Sequence, residues 1–224
     1  IPLDLLNNSQ SMQRTFVLFI ILLSCAISGI TYGQNLNNYT DYKGYLYAFD
    51  NKLKIKLYHQ EVNSVQTGYK NIAYYNNDNE FWIYENKKQK KIADFVNQYK
   101  VTDNLVAYNI GQNLFIYDNE VPMPVSNNCI KYIASDSIVG FYDSFSGSME
   151  VYYNNEITQW DRNIFESDFD FYVGENTLAY FTNTGAFNVF YHGKTFPILP
   201  QNTAGKINTG LNVVAYENDA EEKF

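Results

Sequence analysis

Beyond residue 33 the chain is a succession of short apolar runs broken by Asn, Asp, Gly and Ser, which suit tight turns. The runs predict strands rather than helices. A small residue followed by an aromatic recurs at Ala48-Phe49, Ala73-Tyr74, Ala107-Tyr108, Gly140-Phe141, Ala179-Tyr180 and Ala215-Tyr216, at spacings of 25, 34, 33, 39 and 36 residues. After an irregular first step the period is about 35 residues, which identifies a repeated supersecondary unit.

Within each unit, apolar residues lead into the small residue, as in Leu105-Val106, Ile138-Val139 and Val213-Val214. A second strand ends in an aromatic at Leu57-Tyr58, Ile83-Tyr84, Ile116-Tyr117, Val151-Tyr152-Tyr153 and Val189-Phe190-Tyr191. Behind it stand His59-Gln60, Glu85-Asn86, Asp118-Asn119, Asn154-Asn155 and His192-Gly193, mostly pairs that accept positive φ, so a third strand is predicted to follow. A fourth precedes the next unit as Tyr99-Lys100-Val101, Ile130-Lys131-Tyr132-Ile133 and Phe169 to Val173. Each of these ends at a turn: Thr102-Asp103-Asn104, Ser135-Asp136-Ser137 or Gly174-Glu175-Asn176.

Four short antiparallel strands per unit make an all-β chain, and over residues 45–224 it resembles β-propeller repeat proteins. The resemblance is architectural. There is no WD dipeptide and no paired glycine of a kelch unit, and the Asp-box-like stretch Asn183-Thr184-Gly185-Ala186-Phe187 does not recur. It implies four-stranded blades in five to six units within one domain, residues 34–224. The small-aromatic strands would be the inner ones, with the small residue admitting a neighbouring strand near the axis and the aromatic filling the wedge between blades. The last unit stops inside its second strand at Glu222-Lys223-Phe224. Either the sequence is a fragment or the N-terminal strands complete the final blade. A sandwich or a trefoil also accommodates short strands, whereas a transmembrane barrel would need longer runs with an alternating lipid face.

Composition agrees with a packed, aromatic-rich β protein: 46% hydrophobic residues, 17% aromatic, 21 Tyr, 16 Phe and 29 Asn. A net charge of −8 leaves no basic face for phosphates, so nucleic acid is not an expected partner.

Residues 1–11 precede Met12 and are left unassigned. Arg14, the apolar run Phe16 to Ala26 and the small residues up to Gly33 then read as a secretory signal peptide over 12–33, too short to span a bilayer. The expected location is extracytoplasmic: periplasmic, cell-surface or secreted. Leu22-Leu23-Ser24-Cys25 is a poorer match to a lipobox, which would place a lipid anchor on Cys25 instead. A mature chain starting near Gln34 keeps only Cys129, so no intrachain disulfide is expected.

No catalytic, cofactor-binding or metal site emerges. His59 and His192 read as the same polar turn position in two repeats, and Cys129 as a buried small hydrophobe. Glu166, Asp168 and Asp170 alternate with Phe165, Phe169 and Phe171 on one strand face, a solvated row rather than a calcium loop. Lys87, Lys88, Lys90 and Lys91 sit where they would discourage edge pairing. The expectation is an exported, non-enzymatic propeller that binds a protein or a glycan. The alternative is a carbohydrate-active enzyme, glycosidase or lyase, using carboxylates such as Asp50, Asp143 and Asp161. Carboxylates from different blades meeting at one channel mouth would favour the enzyme.

Overall fold

A computed structural model describes residues 36–162, 171–182, 184–200 and 204–218; residues 12–33, read above as a signal peptide, with Cys25 among them, and Glu166, Asp168 and Asp170 lie outside these residues. Every described element is a β-strand. The first sheet holds β1 (Leu36–Thr40), β2 (Leu46–Asp50) and β3 (Leu53–Tyr58). Four four-stranded sheets follow. They are β4 (Ser64–Thr67), β5 (Asn71–Tyr75), β6 (Phe81–Glu85) and β7 (Lys88–Ala93); then β8 (Gln98–Val101), β9 (Val106–Ile110), β10 (Asn113–Asp118) and β11 (Val121–Ser126). Next come β12 (Cys129–Ser135), β13 (Ile138–Asp143), β14 (Ser148–Tyr153) and β15 (Glu156–Arg162), and then β16 (Phe171–Val173), β17 (Thr177–Phe181), β18 (Phe187–Tyr191) and β19 (Lys194–Leu199). The sixth sheet has β20 (Ala204–Thr209) and β21 (Val214–Asn218). Each sheet is an antiparallel meander in chain order, and the middle four are the four-stranded propeller blades expected from the repeat.

The hairpin between the third and fourth strands of a blade fixes the register. Asn86-Lys87, Asn119-Glu120, Asn154-Asn155 and His192-Gly193 all have positive φ at both residues, the geometry whose twist matches flanking strands. Asn51-Lys52 has it too, with φ of 48° and 71°. That corrects the reading of the first unit. β1, β2 and β3 are the second, third and fourth strands of a blade, so Ala48-Phe49 lies on a third strand and imitates the small-aromatic pair. Leu57-Tyr58 lies on a fourth strand, and His59 follows it rather than sharing the turn position of His192. The short first spacing of 25 residues thus measures from a third strand to a second one. The N-terminal strands form their own sheet and pair with neither strand of the sixth, so they do not complete the final blade.

In the other five units the small-aromatic pair lies on the second strand, not the innermost one. First strands of neighbouring blades approach one another, β4 with β8, β12 with β16 and β16 with β20, and the small-aromatic strand sits one position outward. Its burial is as expected, since Ala73, Ala107 and Ala179 are 0% exposed. The strand's two faces divide the work. Val106 and Tyr108 pack on the preceding blade among Ala73, Phe81, Ile83, Tyr99 and Tyr117, while Ala107 packs on the following one among Leu114, Ile116, Val139 and Phe141. Gly140 shows why the forward residue is small: a Cβ there would stand 2.5 Å from Leu178 Cδ1 and 3.2 Å from Phe171. Four hydrophobic clusters of this kind occupy the interfaces between consecutive blades from the first to the fifth. With both faces covered, second strands carry apolar side chains throughout instead of alternating.

Candidate functional site

The turn joining first to second strand has two central residues in every blade that carries both strands. In four of the five it is closed by the same bond, Gly68 N–H to Asn71 O (2.9 Å), Thr102 to Leu105 (2.9 Å), Gly174 to Thr177 (2.9 Å) and Gly210 to Val213 (2.8 Å). These turns are bonded to one another. Lys70 N–H donates to Asp103 O (3.1 Å), Asn176 N–H to Leu211 O (3.2 Å), and the Thr102 hydroxyl to Asp136 O (2.6 Å). Side chains repeat the link, with Asn104 Nδ2 donating to Asp136 Oδ1 at 2.6 Å and Asn176 Nδ2 to Asn212 Oδ1 at 3.1 Å. Contact is so close that a Cβ on Gly68 would lie 1.8 Å from Thr102 O, and one on Gly174 2.2 Å from Gly210 O. The result is a belt of turns, hydrogen-bonded from the second blade to the fourth and again from the fifth to the sixth.

Inside this belt lies an opening of about 420 Å³ lined by the first strands and turns of the third, fourth and fifth blades. Its polar walls are Lys100, Thr102, Asp103, Ser135, Asp136 and Glu175. Asp103, Asp136 and Glu175 hold the same central position of the turn in three consecutive blades; Tyr69 and Leu211 hold it in the outer two. Asp136, at φ 30°, has its carboxyl raised above the usual 3.8 by burial and by the charge of Asp103, against the hydrogen bonds of Ser137 and Asn104 and the charge of Lys70. The three turns were legible as turns, but only the corrected register puts their acids in one series around one opening.

The carboxylates nominated from sequence do not meet there. Asp50 is 2% exposed and accepts a hydrogen bond from the Tyr84 hydroxyl at 2.8 Å, tying the first blade to the second. Asp143 caps a turn, accepting from Ser126 Oγ (2.6 Å), Phe145 N–H (2.9 Å) and Ser146 N–H (3.0 Å). Burial pushes its carboxyl up, but those donors outweigh burial and hold it below the usual range. Asp161 lies on β15, the outermost strand of its blade.

The remaining candidates have structural surroundings. Cys129 is buried among Leu105, Leu114, Val139 and Phe141, and burial and Asp143 push its thiol up to about 12, so it is a poor nucleophile. His192 contacts the rings of Tyr191 and Tyr153, with Nδ1 3.2 Å from the Tyr153 hydroxyl, whereas His59 packs on Tyr58. In the lysine run, Lys88 pairs with Glu120 of the next blade at 2.7 Å, and Lys91 with Glu80 and, at 2.6 Å, Asp94. Among the described residues no group of three or more His, Cys, Asp or Glu is placed to hold a metal, and no helix is long and apolar enough to cross a membrane.

Solved propeller structures resemble the chain distantly. Human WBSCR16 is 11% identical with a TM-score of 0.46, the match covering 79% of this chain and 67% of that one. Prp20p of Saccharomyces cerevisiae, described with its binding to Gsp1p and histones, is 10% identical with a TM-score of 0.46, covering 82% and 66%. The N-terminal domain of Nup159 is 9% identical with a TM-score of 0.39, covering 82% and 60%. The chain therefore spans between 60% and 67% of the length of these structures. No curated protein sequence matches it. The model of the 10-bladed β-propeller domain matches residues 31–224, and with six consecutive blade sheets behind that match, the chain belongs to this family.

Proposed function

We propose that the chain is an exported, non-enzymatic binding module whose ligand, a protein segment or a glycan, sits in the opening inside the turn belt. The observation that carries this reading is the opening itself: three consecutive blades contribute to its wall, and hydrogen bonds tie the turns of the third and fourth blades together along it. Binding sites favour loops positioned by a rigid scaffold. Export rests on the pattern of Arg14 and Phe16 to Ala26. N-terminal sequencing of secreted protein should begin near Gln34; retention of residues 16–26 in a cytosolic protein overturns it, and lipid on Cys25 makes the chain a lipoprotein instead.

One observation favours the enzyme. Burial, and after it the charge of Asp103 on the neighbouring turn, raises the carboxyl of Asp136, the arrangement of a general acid beside a charged partner. A glycan and peptide array run beside a hydrolysis screen, on the parent and on Asp136→Asn, separates the readings. Binding weakened about tenfold by the substitution, without turnover, is the expected result. Turnover abolished by Asp136→Asn assigns a glycosidase or lyase.

A further inference from the structure

The residue that ends the third strand bonds to the next blade at three of the four interfaces between the first five blades. Asp50, at the end of β2, accepts the Tyr84 hydroxyl of the second blade at 2.8 Å. Glu85, at the end of β6, accepts the Glu120 N–H of the third blade at 2.7 Å. Tyr153, at the end of β14, reaches His192 of the fifth blade at 3.2 Å. Asp118, at the end of β10, holds the same place between the third and fourth blades, and its carboxylate accepts no hydrogen bond from the described residues.

Two local differences open this joint. The side chain of Asp118 is one methylene shorter than that of Glu85 and does not bond the Asn155 N–H as Glu85 bonds the N–H of Glu120. Tyr152, the counterpart of Tyr84, donates its hydroxyl to Asn155 Oδ1 of its own hairpin at 2.8 Å instead of to the preceding blade. It does so although Asp118 is near enough for its charge to add to burial in raising that hydroxyl. Between the two blades this leaves a recess of about 300 Å³, walled by Lys70, Asn104, Asp118, Asn119, Ser137 and Asn154. None of its lining residues belongs to the opening inside the turn belt. The volume is about ten times the roughly 30 Å³ that one water molecule occupies in the liquid, room for one amino acid or one sugar ring.

Two groups in the wall carry opposite charges that do not neutralise each other. Lys70 Nζ takes part in none of the three ion pairs found among the described residues. It opposes the rise that burial gives the Glu85 and Asp136 carboxyls, but bonds to neither. Tyr152, the one ring lining the recess, is 1% exposed and offers no face on which a sugar could stack. A neutral polyol would leave both charges without a counterion, and a simple cation or anion would leave one. A zwitterion meets both with charge-assisted hydrogen bonds, and the flexible stem of Lys70 adjusts the spacing.

We propose that this recess binds a free α-amino acid, Asp118 taking its ammonium group, Lys70 its carboxylate, and Asn119, Asn154 and Ser137 its polar side chain. Isothermal titration calorimetry of the full chain against the free amino acids, their amides, their N-acetyl derivatives and common monosaccharides reads the site. At least one polar amino acid should bind at one molecule per chain. Its amide lacks the carboxylate and its N-acetyl derivative lacks the ammonium group, so each should bind at least about tenfold more weakly. Asp118→Asn should abolish the preference for the free amine over the N-acetyl form, and Lys70→Met the preference for the free acid over the amide, both with the melting curve of the parent. Failure of every amino acid to bind at millimolar concentration overturns the proposal. So does binding that neither substitution weakens, or that the amide and N-acetyl forms match. Binding of a monosaccharide alone makes the recess a sugar site and overturns it as well.

Discussion

The interface between the second and third blades and that between the fourth and fifth use one design with different chemistry at its rim. In the first of these, Glu85 ends the third strand, is 2% exposed, and accepts the Glu120 N–H of the next blade at 2.7 Å. In the second, the equivalent residue is Tyr153, whose ring meets Phe190 edge-on at 5.8 Å and whose hydroxyl reaches His192. The forward-facing small residue also differs, Ala73 in one and Gly140 in the other. Blade position is therefore set by the shape of the wedge between sheets, and its rim can be closed by a carboxylate or by a ring.

Breaking the backbone contact should hurt most, and unequally. Gly68→Ala puts a Cβ 1.8 Å from a backbone oxygen of the third blade and should cost about 3 kcal/mol, lowering the melting midpoint by roughly 6–12 °C. Gly140→Ala, in the wedge between fourth and fifth blades, meets side chains instead, Leu178 Cδ1 at 2.5 Å and Phe171 at 3.2 Å, and should cost about 1 kcal/mol. Equal losses in thermal melts would mean that turn belt and wedge are equally compliant. Ala107→Phe, in the interface between third and fourth blades, should overpack a residue that is 0% exposed and cost about 2 kcal/mol; a melt matching the parent would remove the small residue from the packing argument.

The rim gives a smaller, pH-dependent difference. Burial and the charges of Glu120 and Asp118 raise the Glu85 carboxyl above its usual 4.5, despite the Glu120 N–H and Lys70. A carboxyl raised on folding contributes stability that is fully present below the unfolded value, here about pH 4.5, and lost as the pH rises through the folded one. Glu85→Gln keeps an acceptor for the Glu120 N–H without the charge. It should therefore stabilise by about 1 kcal/mol at neutral pH, an advantage that vanishes below about pH 4.5. A constant difference in denaturation midpoint across pH 3.5–8 would contradict this. Least of all, Tyr153→Phe keeps the ring contact with Phe190 and should change stability by less than about 0.5 kcal/mol.

Much of the fold was legible because the second strand, covered on both faces, writes its packing into sequence as a small residue beside an aromatic. The first blade misled for a physical reason. Ala48-Phe49 on β2 satisfies the same small-then-aromatic pattern, and only the paired positive φ of Asn51-Lys52 reveals its true place. His59-Gln60, which follows Leu57-Tyr58 as His192-Gly193 follows Phe190-Tyr191, imitates in sequence the turn that Asn51-Lys52 makes in the fold. The turn belt left less trace, since its bonds run through backbone atoms and short side chains whose identities vary. Asp103, Asp136 and Glu175 are ordinary turn residues until three blades are superposed by register.

The second strand points its small residue toward the following blade and its aromatic toward the preceding one. Each unit consequently has a socket on one side and a plug on the other, and like cannot mate with like. Gene duplication or unequal crossing-over that shifts the chain by a whole period returns every plug to a socket, whereas a shift by half a period sets plug against plug. The architecture can thus lengthen or shorten by entire blades without redesigning any joint, and it is protected against growth by fractions of one.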